Sequence, residues 1–282
     1  MRSQLCTGVR KPRRLLLCIF VLLAARTGFS SIQVFPTRIE LSDEQRVANI
    51  SVRHRGNQPG QYRIDAVFYR MTPDGTMAVV EDAKPEERPL SKFLRFSPRQ
   101  TTLPPNLEQV IRVIVAPPKD LPEGDYRAHL HFVPGSEAEP DTGAAAPSGK
   151  KKIRIALDAK LALAIPVIFH HGSPLSKTSL TGLKAITNAD KQLAFWVELN
   201  SEGKGYPYGD FYSVFTPKGG APVELGWARG VASYLPKRVV SFPFAMPAGM
   251  TTLAHGKLRL EFREHRNDNE AKVFSFAETE IP

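Results

Sequence analysis

The sequence predicts an all-β chain of two sandwiches, and three observations carry that reading. Apolar residues recur at every second position through most of the chain. Pro and Gly, 24 and 20 of the 282 residues, cut the alternation into short segments. Signals for helix starts and stops are scarce.

Taken in order, residues 1–30 read as a secretory signal peptide. A basic stretch, "MRSQLCTGVRKPRR", precedes the apolar run "LLLCIFVLLAA", and Gly28 and Ser30 offer small residues for cleavage. The apolar run has about 11 residues, short of the ~20 that span a bilayer as a helix, so no membrane insertion of the mature chain is expected. Both cysteines, Cys6 and Cys18, lie in this segment, so the mature chain folds without disulfides. Six basic residues and no acids lie there too, which takes the formal charge from +10 to about +4. So mild a charge gives no reason to expect nucleic acid as a partner.

Residues 31–169 form the first predicted domain. Its strand candidates are "SIQVFPTRIEL", "RVANISVRHR", "QYRIDAVFYRM", "FLRFSP", "QVIRVIVAP" and "DYRAHLHFVP". Turns such as "GNQPGQ", "TPDGT" and "LPPNLE" separate them. A loop over 134–152, poor in large apolar residues and rich in Pro, Gly, Ala and charge, then leads into one long strand over 153–169. In "IRIALDAKLALAIPVIF" every odd position from Ile153 to Phe169 is apolar. The first half has a polar second face (Arg154, Asp158, Lys160), whereas the second half is apolar on both faces, as a strand of its own core would be. With the long strand the count is seven, which is immunoglobulin-like.

After a linker over 170–175, residues 176–282 hold a second β-series: "KTSLTGLKAITN", "QLAFWVELNSEG", "YGDFYSVFTP", "GWARGVASYLP", "KRVVSFPFAMP", "GKLRLEFREH" and "AKVFSFAETEI". Nothing in it has the pattern of a catalytic site.

"FPTRIELS", "LPEGDYRAHLHFVP", "IALDAKLALAIPVIFHHG" and the pair "YGDFYSVF" and "GWARGVASYLPKRVVSFPF", in this order and spacing, resemble the periplasmic chaperones of the chaperone–usher pilus pathway, in its non-enteric-type branches. The resemblance covers essentially the whole mature chain. It implies two immunoglobulin-like sandwiches set at an angle, in the periplasm, with no cofactor and no enzymatic activity. The implied partners are pilus or fimbrial subunits, each an immunoglobulin-like fold lacking its last strand, and an outer-membrane usher. Such a chaperone lends its long strand to the subunit's open groove, in the manner of β-strand addition. Ile153, Ile155 and Leu157 then fill the groove. An apolar edge of this kind also invites self-association of the free protein, which the like charges of "GKKK" (Gly149–Lys152) oppose.

Members of the family hold the subunit's terminal carboxylate with an Arg from the first strand and a Lys from the long strand. Arg38 in "PTRIEL" matches the Arg. Lys160 matches the first Lys of the family's K-x-K pattern, and Ala162 replaces the second. Arg127 in "DYRAHL" is a third candidate, on the neighbouring strand.

Other chemistry finds little support. Phosphate-loop, H-E-x-x-H and G-x-S-x-G motifs are absent, so neither ATP-driven cycling nor hydrolysis is expected. His129 and His131 share a strand face, with His170 or His171 as a third ligand, but a structural metal site usually closes with four ligands and cysteine is lacking; no metal is expected. The alternative function is a secreted adhesive or carbohydrate-binding protein, which requires clustering among Trp196, Tyr206, Tyr208, Phe211, Tyr212 and Trp227.

Overall fold

The computed structural model of the chain describes residues 32–135, 162–188, 192–244, 246, 253–266 and 271–282. In the first half the alternation becomes β1 (Ile32–Phe35), β2 (Ile39–Ser42), β3 (Val47–His54), β4 (Gly60–Met71), β5 (Met77–Val80), β6 (Leu94–Ser97), β7 (Gln100–Leu103), β8 (Glu108–Val115), β9 (Gly124–Pro134) and β10 (Leu163–His171). Two sheets face each other: β1-β3-β8-β6, and β2-β10-β9-β4-β5 with β7 also paired to β4. Period-two patterning delivers one face of each to a common core, including Ile50, Val52, Ile64, Leu94, Phe132, Ile165, Val167 and Phe169. The Tyr126 hydroxyl donates to the Pro122 carbonyl at 2.7 Å, in the manner of the tyrosine corner of immunoglobulin-like sandwiches.

"SIQVFPTRIEL" is not one strand. It breaks after Phe35, so β1 pairs with β3 in one sheet and β2 pairs with β10 in the other. Pro36 cannot donate to a ladder, and the chain crosses between sheets there.

The second half gives β11 (Ser176–Thr187), β12 (Leu193–Gly203), β13 (Tyr208–Pro217), β14 (Val223–Ala232), β15 (Lys237–Pro243), β16 (Gly256–Glu264) and β17 (Val273–Ile281). They form the sheets β11-β12-β15 and β14-β13-β16-β17. Phe195, Phe211, Phe215, Leu258, Leu260 and Phe262 are among the fully buried residues between them. Two immunoglobulin-like sandwiches in an all-β chain are therefore observed, as the alternation predicts.

The two sandwiches are tied at separate places. Asp125 Oδ2 accepts the Tyr206 N–H at 2.5 Å, and its own N–H donates to the Lys204 carbonyl at 3.0 Å. Arg88 Nη1 also donates to the Lys204 carbonyl, at 2.8 Å. The β4–β5 turn reaches across as well, where the Pro73 carbonyl accepts from Val239 N–H at 2.6 Å.

Candidate functional site

β10 has neighbours on both sides along only part of its length. On one side β9 pairs antiparallel with all of Leu163–His171. On the other, β2 pairs parallel with Val167–His170 only, starting at Val167↔Ile39. From Leu163 to Pro166 that second lane holds no strand among the described residues. Pro166 lacks an N–H and sits at the first position beyond β2, where an edge tolerates it. Ile153, Ile155, Leu157 and Lys160 lie outside the described residues, as do residues 1–30 and most of the 134–152 loop.

The registers order the face of this sheet that points away from its core. One row runs Arg38, Pro166, His129; the next Glu40, Ile168, Arg127; the third Ser42, His170, Asp125. Arg38 therefore stands where the open lane meets the beginning of β2. Its Nε donates to Glu40 Oε1 at 2.8 Å, and its guanidinium lies 4.0 Å from the centre of the Tyr208 ring.

Arg127 shares that face but is placed differently. It is only 3% exposed, with its guanidinium 4.1 Å from the Phe68 ring, 4.4 Å from Tyr234 and 5.8 Å from Tyr206. Nη1 donates to the Tyr69 carbonyl, while Nε is buried with no hydrogen-bond partner. Glu87 does not neutralise it at close range, because both its oxygens are taken by Arg70 at 2.6 and 2.8 Å. Burial accordingly pulls the Arg127 pKa down. Desolvation of an uncompensated cation thus nearly cancels what the rings and the carbonyl contribute. Arg127→Met, which keeps a long apolar stem, is expected to stay within about 1.5 kcal/mol of the parent stability. Arg127→Ala, which opens a hole among three rings, is expected to cost about 3 kcal/mol. Urea midpoints measure both.

His129 is buried beside it, its ring 4.8 Å from Tyr69 and 6.5 Å from Tyr234, with Nδ1 unpartnered. Burial, and then the charges of Arg127, Arg38 and His131, push its pKa down to about 4. His170 behaves oppositely: its Nδ1 lies 2.6 Å from Asp125 Oδ1, and that bond raises its pKa. His171 pairs with Asp43 at 2.9 Å. His170 and His171 are thus committed to separate carboxylates, and among the described residues no group of three metal-ligating side chains gathers.

The aromatics named for a carbohydrate platform are scattered. Phe211 is in the core, and Trp196 packs against Lys184. Tyr206 and Tyr208 face the first domain's arginines, while Tyr212 and Trp227 pair with each other at 4.3 Å on the outer face of the β14-β13-β16-β17 sheet. Sequence reading missed Asp125 and Tyr234, and named Tyr208 only for the carbohydrate alternative. Their importance arises only when the second domain covers the first.

No family model matches the chain, and no curated protein matches it in sequence. Solved structures do resemble it. The class 5 fimbriae chaperone CfaA is 12% identical with a TM-score of 0.45, over 89% of this chain and 99% of that one. The CsuC–CsuE chaperone–tip adhesion subunit pre-assembly complex, from the archaic chaperone–usher Csu pili of Acinetobacter baumannii, gives 10% identity and a TM-score of 0.46, over 87% of this chain and 99% of that one. The CupB2 chaperone of Pseudomonas aeruginosa gives 12% and 0.41, over 89% and 100%.

Proposed function

We propose that the protein is a periplasmic chaperone that binds pilus or fimbrial subunits by strand addition, shields their open grooves from aggregation and hands them to an outer-membrane usher. The half-open lane beside β10, with Arg38 at its closed end, is the observation that carries this reading. An unpaired row of backbone groups beside an apolar core is a template for another chain. β2 runs parallel to β10. A subunit strand entering the same lane in the same direction therefore brings its C-terminus toward Arg38, whose charge-assisted hydrogen bonds suit a carboxylate. Upstream, Ile153, Ile155 and Leu157 extend the apolar face that fills the subunit's groove, and Lys160 supplies the second cation. Arg127, one row deeper under Tyr234, is a carboxylate ligand only if that ring moves aside. The reading requires neither cofactor nor catalysis.

Co-expression with a candidate subunit and capture on a tagged chaperone test the proposal. Arg38→Ala combined with Lys160→Ala is expected to lower recovery about tenfold or more, because each charge-assisted bond contributes about 1.5–3 kcal/mol. Unchanged recovery would remove the anchor. Ile155→Asp, which drives a charge into the groove, is expected to abolish capture while leaving thermal stability near the parent value. Full capture by that variant would mean that the strand is not lent.

A further inference from the structure

Of the two proposed anchors among the described residues, Arg127 is enclosed by three rings, whereas Arg38, its side chain 11% exposed, meets the second domain at one ring face. Nε is taken by Glu40, one face is taken by Tyr208, and no described residue accepts from either Nη group. What remains is an end-on pair of donors at the closed end of the lane.

Tyr208 is itself fixed from behind. It opens β13, and its ring lies 4.9 Å from that of His265. His265 Nδ1 is 2.7 Å from Asp210 Oδ1, and the same oxygen accepts the Gly230 N–H at 2.7 Å. Asp210 is fully buried, so this carboxylate is a fixed post inside the second domain. Gly230 has φ +69°, and a Cβ there would come within 3.3 Å of the Tyr208 hydroxyl, so glycine leaves room for the ring. A continuous series of contacts therefore runs from Asp210, through His265 and Gly230, to Tyr208 and on to Arg38.

We propose that Tyr208 is a positioning residue for carboxylate recognition: the second domain, through Tyr208, orients the Arg38 guanidinium and so sets how strongly a strand ending in a free carboxylate is preferred over one ending in an amide. The inference rests on the chaperone reading above and deepens it by assigning the second domain a share in the anchor. A planar cation held flat on an aromatic face loses little orientational freedom when it forms its bonds, whereas a loose one must be ordered by the ligand.

The test uses the whole mature protein and two synthetic peptides of about ten residues, a strand's length. Both alternate apolar and polar residues; one ends in a free carboxylate, the other in an amide. Titration calorimetry gives the ratio of the two affinities. The parent protein is expected to prefer the carboxylate by about tenfold or more. Tyr208→Leu, which fills the space without a π face, is expected to reduce that ratio about fivefold and to leave the amide peptide's affinity unchanged. Tyr208→Phe, which keeps the face, is expected to retain the parent ratio. A parent-like ratio in Tyr208→Leu would overturn the inference while leaving the chaperone reading intact. Equal binding of both peptides by the parent protein, or binding of neither, would instead overturn the anchoring role of Arg38 beneath it. A loss of amide binding in Tyr208→Leu equal to the loss of carboxylate binding would show a merely structural role and would also overturn the inference.

Discussion

Acidification from pH 6.5 to about 4 is expected to cost the folded protein about 3 kcal/mol through His129 alone. In the unfolded chain this imidazole takes up a proton near 6.5; in the fold, burial and the cations Arg127 and Arg38 hold protonation off until about 4. Between those values the unfolded state binds the proton and the native state does not. The stabilisation is therefore complete above pH 6.5 and is lost as the pH falls through the window. His129→Leu removes the group, and its urea-derived stability is expected to fall less steeply with acid. Parallel slopes for parent and variant across this window would show that His129 does not govern acid sensitivity. His170 contributes with the opposite sign, since its raised pKa makes its bond to Asp125 most stabilising below 6.5 and weaker as the pH rises through its folded value.

Asp125→Ala is expected to cost about 3–5 kcal/mol, because it leaves a buried N–H and a half-buried imidazole without the carboxylate that pairs them. Asp125 is 1% exposed and bridges the end of β10 to the connection between β12 and β13 in the second domain. The effect is therefore expected in the coupling between domains as well as in total stability. Calorimetry should give one cooperative transition for the parent protein and two for Asp125→Ala. A single transition shifted by less than about 2 °C would mean that the tie is not what joins the two units.

Alternation made the strands legible because each sandwich buries one face. All seven strand segments read in the second half have counterparts in β11–β17, since Phe195, Val197 and Leu199 or Leu258, Leu260 and Phe262 fall at every second position. The same rule, applied to Ile32–Leu41 as one segment, missed a slip in phase: Ile32 and Val34 fall on even positions and Ile39 and Leu41 on odd ones, and the two halves belong to different sheets. β5 and β7, of four residues each, are too short to show a period. Burial of Arg127 and His129 was not legible at all. On the isolated strand "DYRAHLHF" they alternate like solvent-facing residues, and rings brought from elsewhere in the chain, Phe68 and Tyr69 on β4 with Tyr206 and Tyr234 of the second domain, remove them from water. Arg38 was named through resemblance alone, and its contact with Tyr208 of the second domain was not legible.

The lane that β2 closes has a consequence for measurement. On the proposed function, a visiting ribbon that slides along β10 meets a dead end one residue before Ile39, so its depth is gauged from its own tail. Visitors of different sequence would all be aligned to the same zero mark, and an extra residue at the tail would shift every side chain to the opposite face.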